Sequence, residues 1–203
     1  MKIMVSILFS LLATTSVYAQ GRFTAEGEST AYAGAAYFTK DDSDGFAAVG
    51  GYSIKGNVDF GLQYSRQSLG NGRTYASVIE SFQGHLSKPT PERPYGLTVL
   101  MGLEQGRFHY PADDSGYSSI QTASGMTMGG EVTMAAYGEG RWDIYPYMGI
   151  TLQMAKLGGH DLGWTSPFHM GGAIVFDDRL VLDGAVTAYD SGSAFVGSIV
   201  VMF

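Results

Sequence analysis

The sequence predicts an all-β protein, folded as a closed antiparallel up-and-down transmembrane β-barrel of about ten strands. Three observations support this fold class. Apolar and polar residues alternate along most of the chain, turn-forming residues interrupt the alternation at regular intervals, and charge is scarce. Only 15% of the 203 residues are charged, whereas soluble domains carry about 25%. Strands that present one face to lipid account for all three observations.

The composition excludes several function classes. The chain has no cysteine, which excludes a disulfide scaffold and Cys-ligated metal sites. Its formal net charge of −7 argues against nucleic-acid binding, because such proteins carry basic patches that neutralise phosphates. Beyond the N-terminus, no apolar run approaches the roughly 20 residues of a membrane helix. Any membrane-facing apolar surface must therefore be distributed over strands.

The N-terminal residues have the pattern of an export signal. Lys2 gives a basic start, an apolar run follows over residues 3–12, and small residues around Ala19 fit a signal-peptidase site. We expect a signal peptide over residues 1–19 and a single barrel domain over residues 20–203. A retained membrane anchor is the alternative.

Period-two segments make up the rest of the chain. In the third segment, for example, Val58, Phe60 and Leu62 alternate with polar or small residues, the pattern of a strand with one apolar face. The predicted strands lie near residues 24–39, 46–54, 58–69, 73–88, 95–110, 118–138, 144–156, 166–177, 179–189 and 194–203. The strand from Arg73 carries Glu80 on its apolar face, which predicts a bulge or a register error there.

The predicted connections contain Gly, Pro, Asn or Asp, which favour chain reversal. They lie at residues 41–45, 55–57, 70–72, 89–94, 111–117, 139–143, 157–164, 177–179 and 190–193. An even strand number places both chain ends on the periplasmic side. Ten strands satisfy this condition, and eight, reached by losing one weak hairpin, is the rival count.

Alternation alone fits both a soluble barrel, with its apolar face inside, and a membrane barrel, with that face outside. The basic residues fall at strand ends or in turns, where they avoid a cost of roughly 2–4 kcal/mol at the bilayer midplane. Aromatic residues near strand ends predict girdles at the two membrane interfaces. These aromatics are Phe38, Phe46, Tyr64, Tyr75, Tyr95, Tyr110, Tyr145, Phe168, Phe176 and Tyr189. Both features favour the membrane barrel over a secreted soluble barrel of the lipocalin kind.

The last strand carries a family resemblance. The sequence ends at Phe203, and Val201, Ile199 and Phe195 share its face. This resembles the C-terminal strand of bacterial outer-membrane proteins, which typically ends in Phe and serves as an assembly signal for the barrel-assembly machinery. The whole architecture is similar to small OmpA-like or OmpX-like barrels, without a motif of one subfamily. The resemblance implies the outer membrane of a Gram-negative bacterium.

Inward positions predict a polar lumen without Lys or Arg. Its lining includes Asp59, Glu104, Glu131, Tyr137 and Asp183. We expect Glu104 and Glu131 to face each other from neighbouring strands, where two close carboxylates would share a proton. A polar plug that stabilises a small barrel is the preferred interpretation, because small barrels are filled by side chains. A narrow cation-preferring channel is the alternative.

Basic residues at the extracellular rim predict contact with lipopolysaccharide phosphates, which Arg recognises well. These residues are Lys40, Arg66, Arg73, Arg107 and Lys156. No motif predicts a catalytic residue, a metal site or a cofactor. A rim-located lipid A-modifying enzyme or protease stays open, with candidates His109, Asp113, Asp114, His160, Asp161, Ser166 and His169.

We therefore expect a structural or interaction role. The expected partners are outer-membrane lipid, lipopolysaccharide and the barrel-assembly machinery, and nucleic acid is not among them.

Overall fold

The fold is one antiparallel sheet rolled into a closed barrel. The computed structural model describes residues 23–24, 27–40, 43–90, 92–112, 119–137, 141–190 and 192–203. In these ranges the strands are β1 (Thr30–Lys40), β2 (Ser43–Ile54), β3 (Val58–Ser68), β4 (Thr74–Ser87), β5 (Tyr95–Tyr110), β6 (Ser119–Met134), β7 (Ala136–Tyr137), β8 (Trp142–Leu157), β9 (His160–Thr165), β10 (Phe168–Phe176), β11 (Leu180–Tyr189) and β12 (Gly192–Met202). No helix in the described part of the chain is long and apolar enough to cross a membrane.

These strands make ten barrel strands, because two of the ten are interrupted. The short β7 follows β6 after Ala135, and β10 follows β9 after Ser166 and Pro167; all four strands pair with β8. Strands β1 and β12 pair from Tyr32 opposite Met202 to Lys40 opposite Ala194, which closes the barrel. The predicted closed up-and-down barrel of ten strands is confirmed, and the rival count of eight is wrong.

Both termini of the sheet lie at one end of the barrel, which we call the terminus end. The opposite end, the loop end, carries the connections after β1, β3, β5, β8 and β11. At the terminus end, Lys55 and Gly56 have φ of 52° and 65°, and Asp177 and Asp178 have φ of 49° and 56°. Two successive positive φ values are the type I′ geometry, whose twist matches that of the flanking strands.

The loop-end connection predicted over residues 157–164 is instead a hairpin. Strand β8 continues to Leu157, the chain turns at Gly158 and Gly159, and β9 returns along β8. The first strand also differs from its prediction, since β1 begins at Thr30 rather than near residue 24.

The outward face of the barrel is apolar. Large exposed side chains such as Leu62, Met101 and Ile150 stand on this face and expose half or more of their surface. The opposite face is buried and holds most of the polar strand residues. A soluble barrel has the reverse arrangement, so the lipocalin-like alternative does not fit, whereas a lipid-facing surface does.

The interior has two chemically different walls. The polar wall consists of β3, β4, β5, β6 and β8, and its buried inward residues include Asp59, Gln63, Gln67, Gln83, His85, Thr98, Glu104, Thr127, Glu131, Thr151 and Gln153. The apolar wall consists of β10, β11, β12, β1 and β2, and its buried inward residues include Phe38, Ala47, Val49, Ala173, Val175, Val181, Ala185, Val196 and Val200. The hydrophobic cluster of the core joins residues of the apolar wall with Tyr75, Phe108 and Tyr147 from the strands of the polar wall.

The strand predicted from Arg73 does contain an irregularity, but it does not lie at Glu80. Strand β4 keeps an unbroken register with β3 and β5 through Glu80, and its register with β5 shifts only later, between His85 and Ser87. Glu80 points outward and lies opposite Leu62 on one side and Leu103 on the other. An acid therefore stands on the apolar outer face.

The predicted aromatic girdles are only partly present. Phe46, Tyr64, Tyr95, Phe168 and Phe176 point outward, as a girdle requires. The remaining members point into the barrel, namely Phe38, Tyr75, Tyr110, Tyr145 and Tyr189. Alternation near strand ends does not distinguish the two faces here, because aromatic residues also fill the lumen.

Candidate functional site

Two buried histidines in the lumen bind carboxylates of the polar wall. The Nε2 atom of His85 lies 3.1 Å from Asp59 Oδ2, and its Nδ1 atom lies 2.9 Å from Thr98 Oγ1. The Nε2 atom of His169 lies 3.2 Å from Glu131 Oε2. Each imidazole therefore holds a lumen acid in place by a hydrogen bond between buried side chains.

Two buried tyrosines bind the other lumen acids. The Tyr75 hydroxyl donates to Glu104 Oε1 at 3.0 Å, and the Tyr147 hydroxyl donates to Asp183 Oδ1 at 2.6 Å. The structure thus places Asp59, Glu104, Glu131 and Asp183 in the barrel interior, each with a donor from another strand. Tyr137 lies in β7, and its side chain is outside the described part of the structure.

The expected pairing of Glu104 with Glu131 is wrong. Glu104 lies opposite Gly125 of β6, whereas Glu131 lies opposite Thr98 of β5. The two acids are therefore six residues apart along the β5–β6 ladder, or about 20 Å at the usual rise per residue. They do not share a proton, and each belongs to a separate hydrogen-bonded group.

Glycines give these side chains room to reach their partners. A Cβ on Gly106 would lie 2.2 Å from the Tyr75 hydroxyl oxygen, and a Cβ on Gly149 would lie 2.6 Å from the His169 ring. Gly171 has the same relation to Tyr147, at 2.6 Å. The ring in each case lies over a glycine of the adjacent strand. These contacts have no local sequence motif, since they depend on strand register.

The predicted basic rim divides into three groups. Arg66, Arg107 and Lys156 lie on the outward face near the loop end, and Arg73 lies in the turn before β4. Lys40 instead points into the barrel, where it is buried and its Nζ lies 4.3 Å from the centre of the Tyr189 ring. The expectation that no Lys or Arg points inward is therefore wrong for Lys40. It shares its face of β1 with Phe38, which also points inward.

The predicted assembly signal lies on the outward face of the last strand. Phe203, Val201, Ile199 and Phe195 are all exposed there, and Phe203 exposes 76% of its surface. The Phe203 backbone N–H donates to the Ala31 carbonyl oxygen at 2.9 Å, so the last residue is joined to β1 by its main chain.

Among the described residues considered for a rim enzyme, the structure does not bring His109, Asp161 and His169 together. His109 points outward, Asp161 pairs with Lys156 at 3.1 Å, and His169 lies in the lumen. Asp113 and Asp114 lie outside the described residues. Among the residues that are described, no group of three or more His, Asp or Glu side chains is placed to hold a metal ion.

Comparison with known proteins identifies the fold. No family model matches the sequence, and no curated protein matches it. The structure is similar to the β domain of the Bordetella autotransporter BrkA, with a TM-score of 0.54 and 15% identity over 88% of this chain and 85% of that chain. It is also similar to the translocator domain of the autotransporter NalP from Neisseria meningitidis, with a TM-score of 0.52 and 9% identity over 95% of this chain and 94% of that chain. The chain therefore has the fold of bacterial outer-membrane β-barrels.

Proposed function

We propose that the protein is an integral outer-membrane β-barrel with a closed lumen and a structural or interaction role. In this proposal the loop end lies at the cell surface and the terminus end in the periplasm. The apolar outer face and the fold of the structural neighbours both support the membrane location.

The closed state of the lumen carries the proposal. A water-filled channel leaves its lining side chains accessible, yet seven large inward side chains of the polar wall each expose less than 2% of their surface. They are Tyr75, Ile79, Gln63, Gln67, Gln83, Gln153 and Glu104. The apolar wall supports the same interpretation, because ions crossing the lumen would be in contact with Val175, Val181 and Val200.

Planar-bilayer recording tests the closed lumen. We expect the wild type to stay at the leak level. As a positive control, Gln83 and Gln153 are both replaced by glycine, which removes two side chains that fill the polar wall and should produce measurable conductance. Discrete current steps from the wild type would contradict the proposal.

The excess of acids in the lumen favours a second candidate, a narrow cation-preferring channel. Asp59, Glu104, Glu131 and Asp183 point inward. Among the described strand residues, Lys40 is the inward Lys or Arg, and the imidazoles of His85 and His169 each contact one of the acids. Rings of acids favour cations. If the wild type conducts, Glu104→Gln should lower its preference for cations. An unchanged preference for cations would show that the Glu104 carboxylate does not set the selectivity.

Assembly into a membrane is tested separately from conductance. A closed barrel resists detergent until it is heated, so unboiled and boiled samples should migrate differently on a detergent gel. Deleting Phe203 should lower the amount of this heat-modifiable form in cells, if the last residue is read by the assembly machinery. Equal amounts of folded barrel with and without Phe203 would show that Phe203 is not an assembly signal.

A further inference from the structure

The basic residues of the outer rim are gathered on one side of the barrel. Arg66 and Arg107 both lie opposite Ala76, one on each neighbouring strand, so the two arginines share one row of the ladder. Their backbones are about 10 Å apart, two strand spacings. Lys156 lies opposite Ser124, two strands beyond Arg107. On β10, β11, β12, β1 and β2, no described residue presents an outward Lys or Arg near the loop end.

A groove of about 700 Å³ on the outer face is lined by two of these cations, Arg107 and Lys156, and Arg66 borders it from the position opposite Ala76. Its floor is made of small residues, since Ala76 separates the arginines and Thr122 and Ser124 lie between Arg107 and Lys156. Small side chains leave room between the long basic ones. The groove is therefore a recess on the surface that faces the membrane interface, flanked by positive charge.

The chemistry of the surface changes with depth. Hydrogen-bonding side chains at Gln105, Thr122 and Ser124 lie beside the cations. One row closer to the middle of the strands, the outward residues become apolar at Leu103 and Met126, which lie opposite each other. This order, from the rim toward the bilayer centre, matches the parts of a phosphorylated lipid. Its phosphates come first, then its polar linkages, and then its acyl chains.

We propose that this groove is a binding site for an acylated lipid whose headgroup carries two or more phosphates, the chemistry of lipid A. Arg66 and Arg107 bind phosphate oxygens through their guanidinium groups. Lys156 adds a third positive charge, although its ion pair with Asp161 at 3.1 Å partly occupies it. Lys40 takes no part, because it points into the lumen. The inference rests on the proposed function, since it needs the loop end in the headgroup region of the outer leaflet.

The test compares two triple variants that remove the same number of positive charges. The site variant carries Arg66→Gln, Arg107→Gln and Lys156→Gln. The control carries Lys55→Asn, Arg93→Gln and Arg179→Gln in turns of the terminus end. Refolded protein in detergent is titrated with diphosphorylated lipid A, with its dephosphorylated form and with inorganic phosphate, and bound lipid is counted by native mass spectrometry.

We expect the wild type and the control to bind diphosphorylated lipid A equally. The site variant should bind roughly a hundredfold more weakly, from about fivefold for each cation removed near a charged surface. Equal binding by the two triple variants, or equal binding of the dephosphorylated lipid, would overturn the site. Competition by inorganic phosphate at the same concentration as the lipid would also overturn it, because the ligand would then be a free anion.

Heat-modifiable migration of all three proteins separates the two proposals. If the wild type shows no shift, the membrane barrel itself fails, and the lipid site fails with it. If all three proteins shift and the two triple variants bind lipid equally, only the lipid site is refuted.

Discussion

Gly106→Ala should destabilise the barrel far more than a glycine replacement on the outer face. The new Cβ would lie 2.2 Å from the Tyr75 hydroxyl oxygen and 2.4 Å from Cζ, so the ring would have to move by about 1 Å to reach ordinary contact distance. Tyr75 has no exposed surface and packs on Phe108 at a centroid distance of 4.3 Å. The ring therefore has no free space to move into.

The expected cost has two parts. Overpacking a filled core costs about 1–3 kcal/mol. Displacing the Tyr75 hydroxyl also breaks its hydrogen bond of 3.0 Å to Glu104, and a buried group that loses its partner costs about 1–3 kcal/mol. The lower entropy of the unfolded chain offsets about 0.4–1 kcal/mol. We expect a net loss of roughly 1–5 kcal/mol, with a central value of about 3 kcal/mol.

The assay is urea-induced unfolding in lipid vesicles, followed by tryptophan fluorescence. Gly130→Ala is the matched control, because its Cβ would lie 3.7 Å from the Thr98 carbonyl oxygen, its nearest neighbour, and so meets only ordinary packing. In a Tyr75→Ala background the Gly106→Ala cost should largely disappear, which a double-mutant cycle measures. Stabilities of Gly106→Ala and Gly130→Ala within about 0.5 kcal/mol of each other would refute the reasoning.

Three further predictions concern charges. Glu80→Leu should raise the stability of the vesicle-inserted barrel by up to about 2 kcal/mol, because an acid that faces lipid destabilises a barrel, although less than a base does. Equal or lower stability in urea unfolding would show that the Glu80 carboxyl is not in contact with lipid. His169→Ala should cost about 1–3 kcal/mol in the same assay, because Glu131 loses a buried hydrogen bond, and an unchanged midpoint would contradict that contact. The hydrogen bond from Arg141 lowers the pKa of Asp177. The stability that this pair contributes is therefore fully present above a pH of about 3.9, the pKa of an unfolded aspartate, and it is lost as the pH falls through the lower pKa of the folded state. The difference in thermal midpoint between wild type and Asp177→Asn should therefore shrink from pH 7 to pH 2, and a difference that grows on acidification would contradict the assignment.

The strand number could be predicted because it depends on local signals. Period-two alternation and turn residues occur within each segment, and they place ten barrel strands with boundaries mostly close to those observed. The same signals are weak in β1, where Tyr32 and Phe38 point inward while Tyr37 points outward. With aromatic residues on both faces, the alternation does not fix the direction of Lys40. This explains why a lysine expected at the lipid rim lies inside the barrel.

Strand register set the limit of the site prediction. Identifying Glu104 and Glu131 as inward residues needs only the parity of each strand, but placing them relative to each other needs the pairing of β5 with β6. The predicted strand ends pair residue 110 with residue 118, within one residue of the observed pairing of Tyr110 with Ser119. These ends already separate the two acids along the ladder, so the expected contact rested on their inward parity alone. The histidines and tyrosines that bind the lumen acids are still harder to predict from the sequence. They reach the acids across a third strand or along a diagonal of the sheet.

The glycines connect the composition of the chain to the closed lumen that we propose. A ring that lies over an adjacent strand to reach an acid on that strand or on the next one needs a position without a side chain beneath it, and Gly106, Gly149 and Gly171 provide such positions. Each crossing places a donor on a carboxylate and fills space in the lumen at the same time. A channel would need the acids accessible to water, whereas here they are covered by the rings that bind them. The abundance of glycine, 29 of 203 residues, is therefore explained in part by closure of the barrel interior and not by turns alone.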